Sequence, residues 1–532
     1  MQHRPSILRA IAGTALLVAF MFSSAALAAG EVEEGFKPIF DGKTLDGWDG
    51  NPDLWRVEDG TITGQTTAEK PIKVNSFLIW RQGEVDDFEI RFDYRFASEH
   101  GNSGLQVRSF EDPKWGKWVV GGYQADFEAG DRYSGILYGE RFRGILADRG
   151  QETVIGANHK PKVVRQFGDA KELGKFVKKG QWNSFRVVAK GFHFTEEING
   201  HLTSACTDED AQMRRRSGIL AFQVHVGKPM KIQFRNIRLK RLKLEDKKKV
   251  VFIAGRPSHG YASHAHNAGC LLLARLLNQN VPQVLTTVYR GGWPQDPTAL
   301  DNADAAVLFS DGGKNNPIIP HLKQVDQLAK RGLGLAFLHY AVEVPQGEPG
   351  DRFLDWMGGY FEMFWSVNPH FKAEFKSFPQ HPTTRGVKPF AIDDEWYYHM
   401  RFRKNMEGVT PVLTCVPPDS TRERRDGPHS NNPTVRAGKG MPEHVGWARQ
   451  RPDGGRGFGF TGGHWHWNWA NDSFRTLVLN GIIWVAGLDV PAGGVPTKTP
   501  TLEELEANQD FPQPANFDRQ KILKMIEEWK KK

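Results

Sequence analysis

The feature that most constrains this chain is a change of hydrophobic period at a charged stretch, KLEDKKK at 243–249. Before it, apolar and polar residues alternate over short runs separated by Gly, Asp and Asn turns. The clearest runs are DFEIRFDYRF (87–96), SGLQVRSF (103–110), GGYQADFE (121–128), WNSFRVVAKG (182–191), GILAFQVH (218–225) and MKIQFRNIRLKRL (230–242). A period of two sends successive side chains to opposite faces of a strand, so this region predicts an all-β sandwich of jelly-roll type. After the charged stretch the pattern alternates between strand and helix. KKVVFIAG (248–255) reads as a buried strand, and NAGCLLLARLLNQ (267–279) has the three-and-four spacing of a helix. DAAVLFSDGG (304–313), IPHLKQVDQLAKRG (319–332) and LGLAFLHYA (333–341) continue the alternation, and FRTLVLNGIIWVAG (474–487) reads as a last helix against the sheet. Strand–helix alternation predicts an α/β domain with a parallel sheet covered on both faces. The reading is therefore multi-domain: a sandwich over 34–242, a linker at 243–249, an α/β domain over 250–487, and a Pro-rich linker with a C-terminal helix over 488–532.

The opening residues bear on compartment. Arg4 and Arg9 precede an apolar run at 10–22, which ends in small residues at Ala26-Leu27-Ala28. Basic start, short apolar stretch and A-x-A site predict a signal peptide over 1–28 and a secreted or periplasmic protein. The run is shorter than the roughly 20 residues a spanning helix needs, so no membrane attachment is expected after cleavage. The formal charge is +8, but Lys247-Lys248-Lys249, Arg214-Arg215-Arg216 and Lys530-Lys531-Lys532 lie far apart, and with export this argues against nucleic acid. Cys206, Cys270 and Cys415 are too few and too separated for a disulfide framework or a metal motif.

Strand alternation also sorts the candidate site. Leu105 and Val107 oppose Gln106 and Arg108; Tyr123, Ala125 and Phe127 oppose Gln124, Asp126 and Glu128; Leu220, Phe222 and Val224 oppose Gln223 and His225. If these strands are neighbours, one face is apolar and the other carries amides, carboxylates, Arg and His. GFKPIFDGKTLDGWDG (35–50), GNSGLQVR (101–108), GGYQADFE, SGILYGE (134–140) and the closing GILAFQVHVGKPMKIQFRNIRLKRL (218–242) together resemble the 3-keto-disaccharide hydrolase domain family. The resemblance implies a concanavalin-like jelly roll that cleaves glucosides already oxidised to a ketone at C3. Where that family more often has Glu-Val-Gln, this chain has Gln124-Ala125-Asp126. A C3 ketone acidifies the C2 hydrogen, so a carboxylate can remove it, the anomeric substituent leaves, and water adds back. Such chemistry needs a general base, a stabiliser for the enolate and an acid for the leaving oxygen. Asp126 or Glu128 is expected as base, Arg108 or a divalent metal ion as stabiliser, and His225 as acid. Asn102, Gln124, Tyr138 and Gln223 are expected to bind sugar hydroxyls. Two alternatives stay open: a carbohydrate-binding pair without catalysis, and an ordinary two-carboxylate glycosidase.

FIAGRPSHGYASHAH (252–266), GLGLAFLHYAVEVP (332–345), DDEWYYHMRF (393–402) and GRGFGFTGGHWHWNWANDSFRTLVLNGIIWVAG (455–487) resemble the trehalose-utilisation (ThuA-like) family. That resemblance implies a class I glutamine amidotransferase-like, flavodoxin-like fold. In the amidotransferases a cysteine sits on the sharp turn after a central strand; here His339 and Tyr340 stand in that region, so glutaminase activity is not expected. His259, His264, His266, His339, Glu395, His399, His464 and His466 fall in loops beyond strands and are expected to converge at the carboxyl ends of the sheet. His339, Tyr340, Glu395 and His464 are the expected ligand contacts, with Trp365, Trp396, Trp465 and Trp467 as a stacking wall. The plainer expectation is a sugar-binding or sugar-isomerising pocket; imidazoles with a carboxylate also suit a divalent metal, although the His259-His264-His266 spacing is no established metal motif.

Overall fold

The computed structural model describes residues 33–531, so the expected signal peptide over 1–28 lies outside the described residues. Among the described residues, no helix is long and apolar enough to cross a membrane.

The first domain is a sandwich of two largely antiparallel sheets. One sheet runs, in spatial order, Gly144–Ala147, Ile136–Glu140, Val120–Glu128, Asn102–Glu111, Ile219–Val224, Ser76–Trp80 and Trp48–Asp49. The facing sheet is centred on Asn183–Lys190, Phe88–Phe96 and Met230–Arg241. Alternation decides what is inside: Phe88, Ile90, Phe92, Tyr94 and Phe96 from one sheet meet Leu105, Val107, Tyr123, Ala125, Phe127, Phe222 and Val224 from the other. The Phe92 ring contacts those of Phe127, Phe185, Phe222 and Phe234 at 5.3–6.1 Å between centroids. Burial of each such ring contributes about 1.5–3 kcal/mol.

The second domain is an α/β sheet ordered Val284–Tyr289, Lys248–Ala254, Ala305–Phe309, Gly334–Leu338, Arg456–Phe460, Glu443–Gln450 and Val409–Cys415. The first five run parallel and the last two pair antiparallel. Counted along the chain, the parallel strands have the 2-1-3-4-5 order of flavodoxin-like sheets. Helices His266–Asn280 and Asp472–Val485 cover one face and Leu322–Lys330 the other. Gly334 is required where the sheet meets the Asp472–Val485 helix, because a Cβ there would lie 1.9 Å from the Val485 carbonyl oxygen.

The residues after 487 pack on the domain instead of hanging free as a linker. Val490, Val495, Leu502 and Leu505 are buried, and helix Arg519–Lys530 inserts Ile526. Gln509 Oε1 accepts from the Ala262 amide at 3.2 Å, and Asn267 Nδ2 donates to Asp510 at 2.7 Å. The two domains meet through buried charge: Arg241 pairs with Asp296 at 2.7 Å, Lys249 Nζ with Asp86 at 2.5 Å, and Asn302 donates to Asp86 at 2.9 Å. Arg241 ends the last sandwich strand and Lys249 lies in the first strand of the second sheet, so the connection between the domains is only a few residues long.

Candidate functional site

Two clusters collect the chemistry. The first lies on the outer face of the Asn102–Glu111, Val120–Glu128 and Ile219–Val224 strands. Cross-strand register sets Asn102 opposite Glu128, Gly104 opposite Asp126, Gln106 opposite Gln124, and Gln124 opposite Tyr138. Gln106 and Gln223 both donate to Gln124 Oε1, at 2.6 and 3.1 Å, and Gln106 accepts from Ser109 at 2.6 Å. Gln124 in turn points its Nε2 to Asp126 at 3.5 Å. Gln223 Oε1 has no protein partner, so the network keeps one buried acceptor unpaired. Gly104 is required below this network, since a Cβ there would lie 2.5 Å from the Gln124 side chain. Beside the amides, Phe77, Ile79, Val120 and Ala221 form a separate apolar patch, flanked by Trp118.

Asp126 sits in this network at 5% exposure. Burial pushes its carboxyl well above the usual carboxylate range, Glu128 and Glu140 push the same way, and hydrogen bonds from Asn102 and Gln124 act against them. Tyr138 is raised by burial and by the charges of Glu140 and Asp126. Glu140 is absent from the sequence-based set. It follows Tyr138 by two residues on strand Ile136–Glu140, so the alternation in SGILYGE already put both on one face. Asn75 donates to it at 3.1 Å.

Three expected residues have other positions. Arg108 is not on the polar face: the pairing slips between Val107 and Phe110, and Arg108 takes a left-handed φ of 46°. That bulge turns its fully buried guanidinium to the Asp86 and Gly191 carbonyls at 2.7 and 2.6 Å and to Asp87 at 2.8 Å. It braces the sandwich and cannot reach a ligand with Asp126. Glu128 is tied up by the amides of Arg132 and Tyr133 at 2.5 and 2.9 Å, so it caps the following loop. His225 is half-buried just past strand Ile219–Val224 and gives Nδ1 to the Val226 carbonyl at 2.6 Å, leaving Nε2 as its open nitrogen.

The second cluster lies at the carboxyl ends of the parallel strands. His264 comes from the loop after Lys248–Ala254, His339 from the turn after Gly334–Leu338, His464 from the turn after Arg456–Phe460, and Glu395 from the hairpin strand Phe390–Glu395. His339 occupies the sharp turn after strand Gly334–Leu338, with φ of 54°, and His264 is left-handed at 46°. His264 Nε2 is 3.0 Å from His464 Nδ1 and 3.2 Å from His339 Nε2. Glu395 Oε2 lies 3.1, 3.5 and 3.7 Å from His464, His339 and His264. Burial, reinforced by His264, lowers His339 to about 3, whereas the three imidazoles hold Glu395 far below its ordinary value against its burial. Asp394 fixes the third turn by accepting from the Gly463 and His464 amides at 2.7 and 3.0 Å.

A cavity of about 120 Å³ opens on this cluster, lined by His259, His264, Tyr340, Glu343, Asn368, Glu395, Tyr397, His429 and His464. His259, His264, His339, Glu395 and His464 thus gather as expected, with Tyr340 beside them. His266 lies behind, its Nδ1 on the Arg256 carbonyl at 3.0 Å. His399 stacks on Trp365 instead, and His466 is buried without a side-chain partner. Of the expected tryptophan wall only Trp465 reaches the site, 4.4 Å from the His464 ring; Trp396 and Trp467 belong to the core. Glu343, Asn368, Tyr397 and His429 escaped sequence reading, since no periodic signal ties such distant positions together. No cysteine is near: Cys206, Cys270 and Cys415 are buried and their thiols raised by burial.

No curated protein matches the chain. Among solved structures, a provisionally assigned glycosyl hydrolase from Parabacteroides distasonis is 20% identical, over 40% of this chain and 95% of its own, with a TM-score of 0.27. A carbohydrate-binding module from Bacillus subtilis is 16% identical over 36% of this chain and 95% of its own, with a TM-score of 0.25. A ThuA-like protein from Bacteroides uniformis is 14% identical over 48% of this chain and 97% of its own, with a TM-score of 0.34. Residues 35–240 match the family model of the 3-keto-alpha-glucoside-1,2-lyase-like domain, and residues 249–485 that of trehalose utilisation. The chain is a fusion of a 3-keto-alpha-glucoside-1,2-lyase-like domain with a trehalose-utilisation domain.

Proposed function

We propose that the sandwich cleaves the glycosidic bond of 3-keto-glycosides, and that the protein does so after export from the cytoplasm. The observation that carries this reading is Asp126, a carboxyl with raised proton affinity held in a network of four amides next to an apolar patch. The amides suit sugar hydroxyls, and the partly exposed Trp118 ring at the edge of the patch suits the C–H face of a ring. The Asp126 carboxylate takes the C2 proton and the electron pair moves onto the C3 oxygen as an enolate. Collapse of the enolate expels the anomeric oxygen, which takes a proton from a neighbouring acid; Glu140, Tyr138 and His225 are the groups within that face and its rim. Water then adds to the unsaturated ketone, so the net reaction is hydrolysis. Burial makes Asp126 a stronger base once ionised, which suits abstraction from carbon. The binding-module reading would need only the amides and the patch, and it gives no role to the raised carboxyl.

The test is release of free sugar from 3-keto-trehalose and from trehalose by the purified protein. Release from the keto form alone, lost in Asp126→Asn, is the expected result. Release from neither supports a binding module, and release from plain trehalose supports an ordinary glycosidase.

A further inference from the structure

We infer that His264, His339, His464 and Glu395 of the second domain form a divalent transition-metal centre, which takes a small polyhydroxylated carbonyl ligand through its carbonyl oxygen. The proposal concerns the second domain and does not rest on the reaction of the first.

The geometry of lone pairs carries it. His339 donates Nδ1–H to the Thr461 carbonyl at 2.8 Å, so its Nε2 bears a lone pair. That nitrogen faces His264 Nε2 at 3.2 Å, and His264 Nε2 also faces His464 Nδ1 at 3.0 Å. One proton on His264 Nε2 cannot serve both neighbours, and the Tyr397 hydroxyl, 3.2 Å from both His339 Nε2 and Glu395 Oε2, can donate to only one of those two. Three nitrogens and one carboxylate oxygen lie within 4.8 Å of one another. Five of their six separations run from 3.0 to 3.7 Å. Metal–ligand bonds of about 2.0–2.1 Å in a tetrahedron place ligand atoms about 3.3 Å apart, so a single cation fits their centre. Three imidazoles with one carboxylate favour a transition metal over calcium or magnesium.

The surroundings are those of a held site. The Thr461 carbonyl fixes His339, and Asp394 fixes the turn that carries His464. Such outer partners orient ligands and raise their basicity. On the open side, Glu343 and His429 pair at 3.0 Å, and Tyr340 and Asn368 face the same cavity. A ketone oxygen can enter as the fifth contact of such a cation while the neighbouring hydroxyl meets Glu343, Asn368 or His429, so the cavity fits a hydroxy-ketone better than an apolar ligand.

The full-length protein stripped with a chelator and titrated with Co²⁺ should bind about one ion per chain and develop the visible d–d bands of a four- or five-coordinate site. His339→Ala and Glu395→Gln should each weaken binding at least about tenfold, the loss that removal of even an outer-shell partner typically brings. His399→Ala, remote from the cluster, should bind like the wild type. Circular dichroism of the stripped wild type checks that its fold persists, so the titration stands even if a variant misfolds. Addition of 3-keto-glucose should shift the d–d bands, with glucose as the weaker comparison. Failure of the folded wild type to bind Co²⁺ or Zn²⁺ overturns the centre, and bands unmoved by 3-keto-glucose overturn the ligand class. Neither result touches sugar release by the first domain, which is measured separately.

Discussion

At the scale of single residues, Asp126, the base proposed for the sandwich, carries a cost in stability. Its folded carboxyl has a raised proton affinity, so between the ordinary carboxylate range and the folded value the native state binds more protons than the unfolded chain. Stability therefore falls as pH rises through that window. Asp126→Asn should raise the melting temperature at neutral pH, with the advantage shrinking as both proteins are taken to acid, while lowering turnover of a 3-keto-glucoside by roughly 10²–10⁴-fold. Differential scanning fluorimetry across pH checks the first half and initial rates the second. In wild type the acid limb of the rate profile should sit above the ordinary carboxylate range, because the base works only when ionised. Asp126, Gln124, Asn102, Tyr138 and Gln223 were legible because alternation assigns a face. Glu140 was equally legible, two residues beyond Tyr138. His225 and Glu128 were placed on that face by parity, but a strand end and a loop decide what their atoms meet.

Among elements, the slip in the Asn102–Glu111 strand shows where parity fails. A bulge adds a residue to one strand and reverses every face assignment beyond it, and nothing in SGLQVRSF announces it. Arg108 thereby leaves the site for Asp87 in the interior. Arg108→Ala should destabilise the sandwich by about 2–5 kcal/mol, because it empties a fully buried site and leaves the Asp86 and Gly191 carbonyls without their donor, although Arg216 still pairs with Asp87. Denaturant midpoints should report that loss, and residual activity at low temperature should follow the folded fraction. In the second domain, Gly334→Ala should prevent close contact of strand Gly334–Leu338 with helix Asp472–Val485, since the new Cβ meets backbone and not a movable side chain. Loss of soluble protein, or a melting temperature lower by several degrees, is the expected outcome.

For the molecule as a whole, the junction is a buried network and not a tether. Asp86 is held far below its ordinary carboxyl value by Lys249 and Arg241 against its own burial. Its stabilising contribution is thus present above the ordinary carboxylate range and fades only in strong acid. Asp86→Ala removes the acceptor of Lys249 and Asn302 across the junction, so calorimetry should show a single transition in wild type separating into two in the variant. The sequence by itself determined the two architectures, the change of period between them and the sorting of most polar residues onto one sheet face, because side-chain period is a local property of the backbone. It also pointed to loops beyond the parallel strands as the place where histidines collect. Only the tertiary structure decided which of them meet: four separate segments bring ligand atoms of His264, His339, Glu395 and His464 within 4.8 Å of one another, and such long-range closure leaves no spacing in the chain to read.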